Sequence, residues 1–329
     1  MARTVGEFSH LGEPISRRSF AAAAGALPLL LTACSRGYGS ADRSGSVRQE
    51  KRRHKHGQRK DACATWPHAA LDEIDDLLKP YAGCVSLACT PLDAASFAPL
   101  RGGIAIDATV RRTAASLIKL AVLATALDAA SAGSLSLDER MTVTQGDIVG
   151  GAGDIQAKGA GVTYTVDELL HAMIAQSDNT AANLIIGRLG MDVVNDECSK
   201  LHLKQTRLSR LMMDETARQA GRENVMSARD AASLLQRIAA GTVATPELCE
   251  RAHAYLLDQH DTAGIVQGLP AGVQVAHKTG SLDGVQHDAA IVYGDRPYVL
   301  AALTQGMERE AALGLMRDVS AAVWRAAVS

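Results

Sequence analysis

Aromatic residues are scarce in this chain. Phe, Trp and Tyr make up only 3% of its 329 residues, so a core must be built mostly from Ala, Leu, Val and Ile. The scarcity also argues against an aromatic-lined groove for sugars or nucleic acids. The formal net charge is only -2, which gives no indication of nucleic-acid binding. With 47% hydrophobic residues, the chain can nevertheless bury a large core.

The cysteines show no metal-binding pattern. No CxxC pair and no Cys/His cluster at metal-ligand spacing occurs among Cys34, Cys63, Cys84, Cys89, Cys198 and Cys249. Cys84 and Cys89 are an odd number of positions apart in an expected strand, so they would face opposite sides and not pair with each other. We therefore predict no metal, no cofactor and no particular disulfide.

Residues 1–33 are typical of an export signal. The paired Arg17 and Arg18 precede an apolar run, 21–33, that is too short to span a bilayer and suits a signal peptide. Twin arginines indicate the bacterial route that exports folded proteins. The following "LTAC" resembles a lipoprotein lipobox, so Cys34 is expected to carry lipid. The alternative is an ordinary cleaved signal in which Cys34 is incidental.

Residues 34–67 are expected to form a flexible tether. They are rich in Ser, Gly and charge, include the basic run 48–60, and lack apolar periodicity. A solvated spacer is the favoured interpretation, and binding of this run to anionic headgroups or wall polymers is the alternative. The two segments together predict an exported protein held by its lipid at the outer face of the cell membrane.

Residues 68–329 alternate helix and strand signals without an internal repeat. Strands are expected early, at 84–90 and 102–108, and late, at 273–279, 287–294 and 297–305. Helical spacing occurs at 68–80, 116–130, 165–175, 180–189, 191–201, 227–239, 245–257 and 309–327. This order predicts an α+β fold, in which one five-stranded antiparallel sheet is flanked by helices and joined to an all-α subdomain. A cleft between the two is a natural pocket.

Three short motifs carry candidate chemistry. Ser116 and Lys119 are three positions apart in an expected helix, so the hydroxyl and the amine share one face. A buried lysine tends to lose its proton and can act as a base. Ser177-Asp178-Asn179 lies on a turn between helices, and Lys278-Thr279-Gly280 ends a strand. Each motif alone also has an ordinary explanation. Ser116 could cap the helix while Lys119 extends to water, Ser177 or Asp178 could cap the next helix, and Lys278 could be a charged residue that protects an edge strand.

In this order, Ser-x-x-Lys, Ser-Asp-Asn and Lys-Thr-Gly form the set found in class A β-lactamases and penicillin-binding proteins. The chain resembles a class A β-lactamase-type serine hydrolase over roughly residues 68–329. Matching context surrounds the motifs in "SAGSLSLDERMTVT" and "YTVDELLHAMIAQSDNTAANLIIGRLG". The resemblance implies a β-lactamase/DD-peptidase-like fold and a serine hydrolase that acts on cyclic amides.

The resemblance also implies roles in acyl transfer. Ser116 is the expected nucleophile, Lys119 a candidate base that takes its proton, and Ser177 the relay that protonates the leaving nitrogen. The backbone N–H groups of Ser116 and Ser281 are the expected oxyanion hole. Asp178 would mainly hold its turn.

Substrate binding is assigned in the same way. Asn179 would hydrogen-bond the side-chain amide of the substrate, and Lys278 with Thr279 would bind its carboxylate. Gly280 would let the strand come close to the ligand. Many class A enzymes add an arginine on the strand after Lys-Thr-Gly, but this chain has Gln286 and His287 in that region.

A second departure concerns deacylation. Class A enzymes carry a loop glutamate, within a Glu-x-x-x-Asn pattern, that activates the hydrolytic water. The corresponding stretch here is 206–224, in which that position falls on Met212 or Met213. Glu215, or Asp214 beside it, is the candidate substitute base. The alternative is an exposed loop acid without a catalytic role.

Three functions remain open at this level. The leading one is a class A β-lactamase-type hydrolase that opens β-lactam amides through an acyl-serine intermediate. The second is a D-Ala-D-Ala carboxypeptidase or esterase that acts on peptidoglycan peptides, with slow deacylation. The third is a non-catalytic lipoprotein that senses β-lactams or the cell wall. In each case we expect a monomer with a small-molecule or peptide ligand and no nucleic-acid partner.

Overall fold

The computed structural model describes residues 68 to 328, so the predicted signal segment, the lipidation of Cys34 and the tether lie outside the described residues. The helices are α1 (His68–Leu78), α2 (Ile118–Ser131), α3 (Ile155–Lys158), α4 (Val166–Ala175), α5 (Asn179–Leu189), α6 (Met191–Lys200), α7 (Glu215–Gln219), α8 (Ala228–Ala239), α9 (Pro246–Leu257) and α10 (Arg309–Val328). The strands are β1 (Val85–Pro91), β2 (Ile104–Ile106), β3 (Arg112–Thr113), β4 (Arg140–Thr142), β5 (Thr163–Thr165), β6 (Val225–Met226), β7 (Val275–Leu282), β8 (Val285–Val292) and β9 (Tyr298–Gln305).

The predicted five-stranded antiparallel sheet is confirmed, with the order β2-β1-β9-β8-β7. Every residue of β8 is buried, because helices cover both faces of the sheet. Strand β7 lies at one edge. The register pairs Leu282 with Val285, and Val285 with Gln305. The end of β9 therefore lies beside the end of β7, which places the start of α10 at the same end of the sheet.

The two faces of the sheet belong to different hydrophobic cores. Along β9, Leu300 and Ala302 pack with α1 and α10, whereas Val299 and Leu303 pack with the helical subdomain that contains α2, α8 and α9. This alternation follows from the two-residue period of a strand. The prediction of a sheet that joins flanking helices to an all-α subdomain is therefore confirmed.

Helix α2 runs through the middle of the second core. All of its residues from Ile118 to Leu127 are buried, which explains why it is apolar on every side. Lys119 belongs to this buried stretch and is 0% exposed. The snorkelling explanation for Lys119 is therefore wrong, because its side chain does not reach the surface.

The structure also contains two short strand pairs, outside the five-stranded sheet, that the sequence did not predict. Strand β3 pairs with β6, and β4 pairs with β5. The first pair joins the segment just before Ser116 to the end of the loop 206–224. Among residues 68 to 328, no helix is long and apolar enough to cross a membrane, and no His, Cys, Asp or Glu cluster could hold a metal ion. Cys84, Cys89, Cys198 and Cys249 are free thiols.

Candidate active site

Ser116 lies in a tight turn and not in the first turn of an α-helix. The sequence predicts a helix from Ser116, but Ala115–Leu117 forms a 3₁₀ turn that leads directly into α2. Ala115 has a φ of 46°, a left-handed conformation that non-glycine residues rarely adopt. The hydroxyl of Ser116 does not cap α2, so the helix-cap explanation is wrong as well. The hydroxyl oxygen instead faces Lys119.

The amine of Lys119 lies at the centre of the motif residues. Its Nζ is 2.6 Å from the carbonyl oxygen of Ser177 and 2.8 Å from Oδ1 of Asn179. It is 3.3 Å from Oγ of Ser116 and 3.2 Å from Oγ of Ser177. A neutral amine has two N–H donors and one lone pair. Donation to the two short contacts leaves that lone pair available to a serine hydroxyl, which is the arrangement that a general base needs.

The surroundings of Lys119 favour the neutral amine. Burial holds its pKa well below that of a free lysine, and the positive charge of Lys278 lowers the pKa further, against an opposing effect of Asp178. Lys278 is also 0% exposed, and burial lowers its pKa to about 7. Asp261 and Asp288 act against this shift. Both lysines of this buried cluster therefore hold their protons less tightly than a free lysine does.

Ser177 lies between the two lysines. Nζ of Lys278 donates to Oγ of Ser177 over 3.1 Å, and Nζ of Lys119 is 3.2 Å from the same oxygen. Ser177 has a φ of 57°, and in this turn before α5 its hydroxyl contacts both amines. One hydroxyl in contact with two amines can pass a proton between them and a bound ligand. This is the position that the proposed relay requires.

Asp178 holds this turn, as the sequence predicted. Its Oδ1 accepts from the backbone N–H of Ala181 over 2.8 Å and caps α5, while Oδ2 accepts from that of Ile155 over 2.9 Å. A Cβ on Gly153 would lie 2.1 Å from this Oδ2, so only glycine fits there. Asn179 is held by its bonds to Lys119 and to the carbonyl of Gly150, at 3.0 Å.

The edge strand β7 completes the site. The pair Leu282–Val285 flanks a two-residue turn and exchanges hydrogen bonds, so the next pair, Ser281–Gln286, does not. The N–H of Ser281 therefore points away from β8, to the open side of the sheet. A Cβ on Gly280 would lie 3.2 Å from the backbone nitrogen of Ser116. Glycine at this position thus lets the backbone of Ser116 lie close to strand β7.

The arrangement of two buried lysines, two serines and an edge strand agrees with the family comparison. A model of the beta-lactamase enzyme family matches residues 70–327. The chain belongs to the beta-lactamase enzyme family. The family prediction made from the three motifs is thereby confirmed.

Individual relatives agree with this family assignment. A beta-lactamase of Streptomyces fradiae is 34% identical over 146 residues, which are 43% of this chain and 48% of that protein. A beta-lactamase of Streptomyces albus G is 31% identical over 198 residues, which are 56% of this chain and 63% of that protein. The chain thus spans about half to two thirds of the length of these curated relatives.

Solved structures match over a longer stretch. The beta-lactamase of Sphaerobacter thermophilus has a TM-score of 0.70 at 26% identity, covering 79% of this chain and 97% of that one. The structure of PBP-A has a TM-score of 0.69 at 26% identity, covering 78% and 95%. A PBP-A variant has also been solved as an acyl-enzyme complex with penicillin G.

An arginine that the sequence did not single out reaches the site of this family member. Nη1 of Arg309 donates to Oγ of Ser281 over 3.2 Å and to Oε1 of Gln286 over 3.0 Å. Gln286 in turn donates to Oγ of Ser281 over 2.9 Å. Arg309 begins α10, which the sheet register brings beside the end of β7. The position of Arg309 could therefore have been predicted from the topology of the last three strands, and not from the Lys-Thr-Gly motif.

His287 and His277 have structural contacts. Nε2 of His287 is 2.7 Å from the carbonyl of Thr113, and burial lowers its pKa to about 4. Nδ1 of His277 is 3.0 Å from Oδ1 of Asp288. The other carboxylate oxygen of Asp288, Oδ2, accepts a hydrogen bond from the backbone N–H of Ile265 over 2.9 Å. Both histidines brace the sheet.

The loop 206–224 places an apolar side chain at the expected glutamate position. The side chain of Asn183 holds the backbone of Met212 from both sides, at 2.7 Å and 3.0 Å. Met212 is 7% exposed and packs in the core, whereas Met213 is 54% exposed. A Cβ on Gly151 would lie 3.2 Å from the sulfur of Met213. Neither residue can accept a proton from water.

Glu215, the candidate substitute base, makes its contacts elsewhere. Its carboxylate accepts from Arg218 at 2.6 Å and 2.5 Å and from Gln219 at 3.0 Å. The Arg218 guanidinium lowers the pKa of Glu215 to about 2, and its side chain is 56% exposed. Within the described residues Glu215 has no hydrogen bond to Ser116 or Lys119. Asp214 caps α7 through the N–H of Ala217, at 2.9 Å.

Proposed function

We propose that this chain is a serine hydrolase that opens β-lactam amides through an ester on Ser116. The supporting observation is the buried amine of Lys119, which lies 3.3 Å from Oγ of Ser116 and has a pKa lowered by burial and by Lys278. A neutral base in contact with a serine in the turn before α2 suits nucleophilic attack. The beta-lactamases among its relatives support the same substrate class.

The proposed acylation moves the proton of Ser116 to the leaving nitrogen through Lys119 and Ser177. Oγ of Ser116 bonds to the lactam carbonyl carbon while its proton moves to Nζ of Lys119. The developing oxyanion accepts from the N–H groups of Ser116 and Ser281. The carbon–nitrogen bond then breaks, and the nitrogen takes its proton from Oγ of Ser177, which is re-protonated from Lys119. The product is an acyl ester on Ser116 with a neutral leaving amine.

Ligand orientation would come from the rim of the site. Lys278, Thr279 and Arg309 supply cationic and hydroxyl donors for a carboxylate, with Arg309 positioned by Gln286. Asn179 has its Oδ1 engaged by Lys119 and its Nδ2 by Gly150, so binding of a substrate amide there requires that one of these contacts be shared.

A second candidate function has its own support. Met212 and Met213 occupy the expected position of the deacylating acid, and Glu215 is paired with Arg218. Acylation without a dedicated base for water favours a D-Ala-D-Ala peptidase or esterase that β-lactams block, rather than a β-lactamase with fast turnover.

One experiment separates these candidates. The purified chain is mixed with a chromogenic cephalosporin and with penicillin, and both turnover and intact mass are followed. Steady product supports the β-lactamase, whereas a persistent adduct that Ser116→Ala abolishes supports the peptidase or the sensor. If neither a β-lactam nor a depsipeptide ester gives product or adduct, the acylation mechanism is wrong.

We also propose, from the N-terminal motifs, that the chain is exported and anchored by lipid at Cys34. Cys34→Ser should then release the protein from membranes into the soluble fraction. If the variant stays membrane-bound, the lipidation proposal fails, and this result would leave the acylation proposal untouched.

A further inference from the structure

An open cleft of about 480 Å³ lies at the base of the loop 206–224 and is separate from the acylation site. Its walls come from the residue before β3, from the start of α6, and from both ends of the loop. None of Ser116, Lys119, Ser177 and Lys278 lines it. This cleft therefore takes no part in the proposed acylation.

Three arginines from different segments line the cleft. Arg111 precedes β3, Arg207 begins the loop, and Arg222 lies near its end. All three side chains are exposed, and within residues 68 to 328 none of the three guanidinium groups has a hydrogen bond or an ion pair. Three cations held around one concave surface without partners repel each other, so an anion between them is favoured.

The acidic residues of the cleft do not neutralise these arginines. Glu223 forms an ion pair with Arg210. Oε1 of Glu223 is 2.8 Å from Nη2 and 2.9 Å from Nε of that arginine. Among the residues that line the cleft, Asp192 is the remaining carboxylate, and it has no ion pair. The three arginines therefore face a single carboxylate that has no partner, which leaves a positive excess.

The backbone around the cleft is fixed by asparagine side chains. Asn195 accepts from the N–H of Leu208 and donates to its carbonyl, both at 2.9 Å. Asn224 accepts from the N–H groups of Ser209 and Arg210 at 2.7 Å and 3.0 Å. Arg207 exchanges backbone hydrogen bonds with Val225 at 2.9 Å and 3.1 Å. The arginines thus extend from a rigid frame, which reduces the entropy cost of binding.

We propose that this cleft binds a phosphate or phosphodiester group that bridges Arg207 and Arg222, with Arg111 as the third contact. The planar guanidinium groups match the oxygen geometry of phosphate. Such a ligand connects the start of the loop to its end and restrains the segment that carries Met212. The phosphate can belong to a free anion or to a lipid headgroup.

The test measures binding of pyrophosphate to the full chain by calorimetry, and binding to vesicles of phosphatidylglycerol against vesicles of phosphatidylcholine. The variants are Arg207→Gln, Arg222→Gln and the double variant. Arg101→Gln is the matched control, because Arg101 is also an exposed arginine without an ion-pair partner in the described residues. Any binding of vesicles by the basic run 48–60 is the same in all variants, because none of the substitutions changes that run.

Each single variant should weaken binding about tenfold, since one charge-assisted contact is lost, and the double variant should abolish the specific component. If the binding of pyrophosphate depends on Arg207 and Arg222, the ligand is a free anion. If only the binding of anionic vesicles depends on them, the ligand is a lipid headgroup. If the double variant binds both probes as tightly as Arg101→Gln does, or if the wild-type chain binds neither, the proposal is overturned.

Discussion

The two sides of the acylation site differ in how their polar groups are used. On the motif side, Lys119 and Lys278 are fully buried, share Ser177 as a hydrogen-bond partner, and have pKa values lowered by burial. On the loop side, the expected acid position carries methionine, and Glu215 is paired with Arg218 near the surface. For the proposed acylation, the described residues therefore place a candidate base and a candidate proton relay beside Ser116, whereas Glu215, the candidate acid for deacylation, is paired elsewhere.

The largest effect is expected from removing the base on the motif side. Lys119→Met should reduce the acylation rate by about a thousandfold or more, because Ser116 loses the group that takes its proton. Adduct formation with penicillin, followed by intact mass against time, measures this rate. Lys204→Met, at an exposed lysine of the described chain, is the control. Acylation at a near wild-type rate in Lys119→Met would show that another group is the base.

The loop side can be given the acid that it lacks. Met212→Glu should accelerate deacylation about a hundredfold, since a carboxylate held by the Asn183 contacts to its backbone can activate water. Met212→Gln is the control, because glutamine has a shape similar to that of glutamate but no ionisable group. This variant should leave deacylation slow. The decay of the penicillin adduct in a chase experiment reports both rates. If only Met213→Glu accelerates the decay, the position of the base is the neighbouring residue.

The two lysines predict opposite effects of pH on kcat/KM for a substrate that carries a carboxylate. Lys119 must be neutral to act, so kcat/KM rises with pH, up to about tenfold per unit, until its lowered pKa is passed. Lys278 must be protonated to attract the carboxylate, so kcat/KM falls above about pH 7. Lys278→Arg should remove the fall, because a guanidinium stays charged. An unchanged alkaline fall in this variant would assign it to another group.

Arg309 is expected to contribute to binding on the motif side. Arg309→Gln should raise KM about five- to tenfold for a carboxylate-bearing β-lactam, through the loss of one exposed charged contact. A neutral ester substrate should show no change. Arg317→Gln, further along α10, serves as the control. Equal losses for charged and neutral substrates would point to a structural role of Arg309.

The smallest effect is expected at Glu215. Because its carboxylate is exposed and paired with Arg218, Glu215→Gln should change the deacylation rate by less than about twofold. The same adduct-decay measurement tests this. A tenfold slower decay would restore Glu215 as the base and would require the loop to rearrange in the acyl-enzyme.

The sequence by itself determined the family, the strands of the main sheet and the motif residues. Helical spacing, capping residues and short apolar runs are local signals, and the Ser-x-x-Lys, Ser-Asp-Asn and Lys-Thr-Gly motifs place their residues at turns and strand ends. The prediction that Asp178 holds its turn rested on this kind of local chemistry. Export and lipidation at Cys34 likewise rest on local motifs and stay predictions.

Only the tertiary structure decided the state of these residues. The sequence could not place Lys278 beside Ser177. Burial within α2, and then the positive charge of Lys278, lower the pKa of Lys119. The sequence could not bring Arg309 to Ser281, because the sheet register sets that contact. Charge and proton affinity depend on which distant groups share a buried space, and folding alone brings those groups together.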